Sequence, residues 1–195
     1  MMPASTDLPA SAGGSDGRDA KGVLGRTLPE TGFSRLVDAP VRWAGEAAGW
    51  LWTALMLLIV FQVVQRYVFS TGSIKIEELQ WHVYAVGFML GLAATEVAER
   101  HVRIDVVAER WAWRTRLRIE IAGIALLLLP FCALVLWFAV PYVATSWQLN
   151  ERSAAPDGLP HRWFVKSFIL SGFGLLALAG LSRASRCLAA LRAAR

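Results

Sequence analysis

The sequence predicts an all-α membrane protein with four transmembrane helices. Three observations carry that reading. First, of 195 residues 55% are hydrophobic and only 18% charged, whereas soluble domains carry roughly 25% charge. Second, the apolar residues fall into four blocks, each near the ~20 residues that cross a ~30 Å hydrocarbon core. Third, Lys and Arg are unevenly shared between the segments that separate those blocks.

Residues 1–42 are rich in Pro, Gly, Ser, Asp and Ala and hold no apolar run. They read as a disordered tail ahead of a membrane domain over residues 43–195. No secretory signal core is present in them. The first span runs from about Ala47 to Gln65 and carries no charge. The second runs from about Leu79 to Thr95, with His82 near its start. The third covers about Ile121 to Val143 and contains Pro130, which removes a backbone hydrogen bond and predicts a kink. The fourth covers about Trp163 to Leu181, with Lys166 in its first turn. Such runs must be helical, because lipid offers no partner to an unpaired backbone group. Continuous blocks such as Ile124 to Leu129 lack the alternation of a barrel strand.

Orientation follows from the basic residues. The tail, the connection between spans two and three, and the C-terminus together hold 15 of the 20 Lys and Arg, and the other two connections hold 5. That bias places both termini inside and accounts for the +5 net charge without a nucleic-acid partner. Trp43, Trp111 and Trp113 fall at the inner interface, and Tyr67, Trp81, Tyr142, Trp147 and Trp163 at the outer one, the depths amphipathic rings prefer. The stretch Val102 to Trp113 predicts a short helix lying in the inner interface.

The residues offer little chemistry. No carboxylate or arginine lies within a span, although transporters that bind ions or protons place such groups at the midplane. The histidines His82, His101 and His161 sit at span ends or in a connection; they suit ordinary hydrogen bonding better than facing haem ligands. Cys132 and Cys187 fit no metal spacing and read as small buried side chains. No catalytic residue, cofactor site or metal site is predicted. Glu77 and Glu78 open span two, where the positive end of a helix favours acids. Lys166 is expected to reach the outer headgroups in preference to a salt bridge with Glu151 or Glu78. Gly87, Gly91, Gly172 and Gly174 are expected to let helices approach closely. The connection Ser146 to Trp163 is long enough to hold a shaped surface.

Several pieces in order resemble one family. Glu77 to His82 reads EELQWH at the opening of span two. His101 to Asp105 reads HVRID just past its end. Pro130 interrupts span three, and Ser146 and Trp147 lead through Glu151 and Ser153 to Gly158, Leu159 and Pro160, with Trp163 and Lys166 after them. Over about residues 45 to 190 the sequence resembles the small membrane subunit (DctQ-like) of tripartite ATP-independent periplasmic (TRAP) transporters. It departs from the family pattern at Arg100, where a glycine is common, and at Leu170 and Ala179 in span four.

The resemblance implies a multi-pass protein of the bacterial inner membrane with cytoplasmic termini. It implies a large multi-span permease subunit as partner, holding the substrate and sodium sites, and a periplasmic solute-binding protein that delivers the solute. The small subunit would be a non-catalytic brace of tilted helices in contact with lipid. Glu78, His101, Arg103, Asp105, Glu151 and Lys166 are the candidates for partner contact or packing. Two other readings stay open from the residues: a haem or redox membrane protein, and a stand-alone four-helix adaptor.

Overall fold

The computed structural model describes residues 28–98 and 111–193. The expected interfacial helix up to residue 110 lies outside these residues, as do His101, Arg103 and Asp105. Every regular element among the described residues is helical. We number them α1 (Gly32–Val68), α2 (Ile74–Val97), α3 (Trp113–Gln148) and α4 (Arg162–Ala193).

α1 starts well before residue 42, the boundary expected from composition. Thr31 and Ser34 form a reciprocal capping box: the Ser34 N–H donates to Thr31 Oγ1 (3.1 Å) and the Thr31 N–H to Ser34 Oγ (3.0 Å). The first turns then bury Ser34, Val37, Val41, Ala44 and Ala48. Their three- and four-residue spacing is a helical signal, but the side chains are small and no continuous apolar run betrays it.

α3 is one continuous helix with a π-helical turn at Ile124–Leu128, directly ahead of Pro130. Proline cannot donate to the carbonyl four residues back and crowds it. A widened turn at that place re-routes the hydrogen bonds.

Among the described residues, three helices are long and apolar enough to cross a membrane: α1, α3 and α4. At 24 residues, α2 has the length, but Gln80, His82, Tyr84 and Glu96 dilute its apolar stretch.

Helices that are consecutive in sequence run antiparallel where contacts fix them. α1 and α2 are antiparallel, with Gly45 against Ala94, Gly87 against Leu51 and Trp52, and Gln80 Nε2 donating to Leu58 O (3.1 Å). α3 and α4 are antiparallel, with Leu128 against Gly180 and Phe131 against Phe173 (centroids 5.9 Å apart). α2 and α4 run parallel, with Met89 against Gly172 and Glu96 against Arg183. α4 packs on all three other helices and is the centre of the array. Consequently Leu28, Glu96, Leu117 and Cys187 lie at one end, the termini end, and residues 69–73 and 149–161 connect helices at the other, the loop end.

Close helix approach uses glycine, but not all the expected ones. A Cβ on Gly172 would stand 2.9 Å from Met89 Cβ, one on Gly45 2.5 Å from Ala94 Cβ, and one on Gly180 2.5 Å from Leu128 Cδ2. Gly87 makes only ordinary contact, and nothing lies within 4 Å of Gly91 or Gly174.

Candidate functional site

The ionisable residues gather at the two ends of the array. At the loop end, the N-terminal part of α2 presents Glu78 to the α3–α4 connection. Its carboxylate accepts from the Ser153 hydroxyl and from the Leu159 N–H (2.6 Å). The two residues bracket the turn through Pro156, Asp157 and Gly158, and the Ser153 N–H closes back on Leu159 O (3.2 Å). Glu78 is therefore more than an acid at a helix start: it fastens a loop of another connection.

Glu151 and Lys166 form the second fastening. The Lys166 ammonium donates to Glu151 Oε2 and lies 4.0 Å from the centroid of the Tyr142 ring. Arg162 stands farther off, Nη1 4.0 Å from Glu151 Oε1, and its N–H donates to Glu151 O (3.1 Å). The Lys166 contact, above all, holds the Glu151 carboxyl below its usual pKa of 4.5. Lys166 thus ends in a salt bridge, not at the headgroups as the sequence suggested; a carboxylate within reach satisfies it better than a flexible excursion to water. Trp147 and Trp163 pack edge to face beside it, 4.3 Å between centroids. Asn150, Asp157 and His161 take positive φ (44°, 61° and 62°), a region these residue types enter more readily than most. They let so short a connection reverse direction.

The termini end holds a cluster that sequence reading missed. Arg183 of α4 is 4% exposed. Its Nη1 lies 3.5 Å from Glu96 Oε1 of α2 and its Nε 2.6 Å from Glu120 Oε1 of α3. Asp38 of α1, also buried, accepts from Ser182 Oγ (2.7 Å) and lies 3.9 Å from Arg186 Nη1. Thr31 Oγ1 and Ser185 Oγ are hydrogen-bonded at 3.0 Å. All four helices meet here through charge. The available signal was positional: Glu96 and Glu120 flank the predicted spans and Arg183 follows span four closely, all on one predicted side.

Of the six sequence candidates, Glu78, Glu151 and Lys166 come together at the loop end; His101, Arg103 and Asp105 lie outside the described residues. Between the two ends, residues 47–65, 79–95, 121–148 and 167–182 contain no Asp, Glu, Lys or Arg. Among the described residues no three His, Cys, Asp or Glu side chains converge as a metal site, and Cys132 and Cys187 are buried free thiols. An open apolar groove of about 770 Å³ runs between α1, α2 and α4 near the loop end, lined by residues such as Leu51, Val86, Trp163 and Phe168. Its walls suit apolar groups and converge few polar ones.

The family "Tripartite ATP-independent periplasmic transporters, DctQ component" matches residues 55–190, from the middle of α1 almost to the end of α4. A search of the curated proteins gave no match, and neither did one of the solved structures. With well over half of its length matched, this membrane chain belongs to the DctQ component family of the tripartite ATP-independent periplasmic transporters.

Proposed function

We propose that this chain is the non-catalytic brace of its transporter, holding a large multi-span permease subunit in the bilayer while that subunit moves solute and coupling ion. The observation that carries the reading is the distribution of charge. Ionisable side chains lie toward the two ends, several of them paired, and the long apolar stretches between contain no Asp, Glu, Lys or Arg to bind an ion or a carboxylate solute. A protein that binds ions at the bilayer midplane needs such groups there.

In this reading α2 is the fourth span, lodged between α1 and α4, where protein neighbours tolerate its polar residues. Both termini are cytoplasmic in the inner membrane. The alternating helix directions, which bring the described chain ends to one end of the array, and the excess of Lys and Arg on that side support this orientation. The loop-end surface faces the periplasm, where a solute-binding protein delivers its cargo. His101, Arg103 and Asp105 are contact residues with the large subunit on the strength of the family resemblance.

Deleting this chain while the large subunit is still made is expected to abolish solute uptake. Asp105→Ala is expected to lower uptake or complex yield. Unchanged uptake after deletion would refute the brace, and a normal Asp105→Ala variant would remove that residue from the contact set.

A further inference from the structure

The first turns of α3 separate their charges by sign. Glu120, the only acid of the helix, turns inward to Arg183 Nε (2.6 Å). Trp113 and Leu117 pack inward beside Cys187. Three arginines remain. Arg116 folds back, its Nε donating to Trp111 O (3.1 Å). Arg114 and Arg118 stand one turn apart on one face and are exposed, as are Trp111 and Thr115. No hydrogen bond or ion pair among the described residues engages Arg118.

This exposed side continues through Ala122 and Leu126. Arg118 is thus the last outward charge before the apolar stretch of α3, and Trp111 lies two turns farther out. At Arg118 and Arg114 the helix surface passes from hydrocarbon to headgroup depth, where aromatic rings also settle. A phosphate there meets two guanidinium groups with no carboxylate beside them on the helix. A guanidinium grips a phosphate through two parallel hydrogen bonds. An anionic headgroup keeps the negative charge that a zwitterionic one cancels with its own ammonium.

The other helices do not offer this at the same end. On α1, Glu46 is exposed one turn from Arg42. On α4, Arg183 and Arg186 face Glu96 and Asp38. An excess of arginine on one side sets orientation, but it does not by itself sort acid inward and base outward on one helix.

We propose that the exposed start of α3 is a binding site for an anionic phospholipid, its phosphate held by Arg118 with Arg114 beside it and an acyl chain lying along Ala122 and Leu126. The site stands on α3 alone and needs neither the brace role nor a particular orientation of the chain.

The test uses the full transporter in phosphatidylcholine vesicles. These carry a trace of phosphatidylglycerol or of phosphatidylcholine with a photoreactive group close to the glycerol. After illumination, mass spectrometry of peptides locates the adducts. Phosphatidylglycerol is expected to label residues 111–126 several-fold more than phosphatidylcholine does. Arg118→Gln is expected to lower the phosphatidylglycerol signal about fivefold, the factor that corresponds to one basic residue near an anionic surface, and to leave the phosphatidylcholine signal unchanged. Lys75→Gln, at an exposed position of the loop end, should change neither. Equal labelling by the two lipids overturns the site, and so does an excess that survives Arg118→Gln or falls as far with Lys75→Gln. Labelling by neither lipid means that protein covers this face, and it overturns the site while leaving the brace standing.

Discussion

Arg183 shows how much one side chain can carry. Its guanidinium is buried against Glu96 and Glu120, so its removal leaves two carboxylates short of a cation in a dry site. Breaking a buried pair from one side costs about 3–5 kcal/mol. Arg183→Met is therefore expected to lower the melting temperature of the purified chain sharply. Arg35→Met, which loses only the exposed pair with Glu30, should change it little, since exposed pairs contribute about 0–1 kcal/mol. Equal effects in the two variants would contradict the clamp. Glu151 makes a pH prediction. Its folded pKa lies below the ordinary 4.5, so its ion pair stabilises the fold above that value, and the contribution is lost as pH falls through the folded pKa. The stability difference between wild type and Glu151→Gln should be constant near neutrality and shrink below about pH 4.5; a difference that grows on acidification would reverse the sign assigned here. Glu78 and Lys166 were legible as candidates because they stand at span ends, and Glu151 because it lies in the connection that carries the family resemblance, yet which carboxylate meets which partner was not. That choice depends on how a loop folds back over α2, and sequence spacing carries no such information.

At the scale of elements, the apolar runs located all four helices, and the ends were misjudged wherever small side chains do the packing. The opening of α1 buries Ser34, Ala44 and Ala48, which hydropathy scarcely registers. Pro130 marked the irregular place in α3, and the π turn sits just ahead of it. Glycine was the weakest guide: the residue type announces that close approach is possible, and only the neighbouring helix decides where it happens. Gly172→Ala is expected to destabilise the α2–α4 contact by about 1–3 kcal/mol, because the new methyl meets the Met89 backbone oxygen as well as its side chain. Gly174→Ala, with open space around it, should be neutral or slightly stabilising through better helix propensity. Thermal melts of the two variants in one detergent check the contrast, and a destabilised Gly174→Ala beside an unaffected Gly172→Ala would refute the packing described.

For the whole molecule, α4 sits at the centre, polar fastenings close both ends, and broad apolar faces remain on α1 and α3. Such an array buries little of itself: 11% of the most apolar stretch of α1 and of α3, and 22% of that of α4. The exposed remainder is what lipid and, in the proposed brace, the partner subunit would cover. The family was legible from short motifs whose order and spacing hold across the chain, such as EELQWH and the stretch from Ser146 to Lys166. The clamp at the termini end was not, because its members are far apart in sequence and each alone looks like an ordinary flanking charge. The most direct test of the brace is mild-detergent purification of the tagged chain from native membranes, with mass spectrometry of what accompanies it. The account predicts a much larger hydrophobic subunit in near one-to-one amount; a chain that emerges alone and remains folded and stable alone would contradict it.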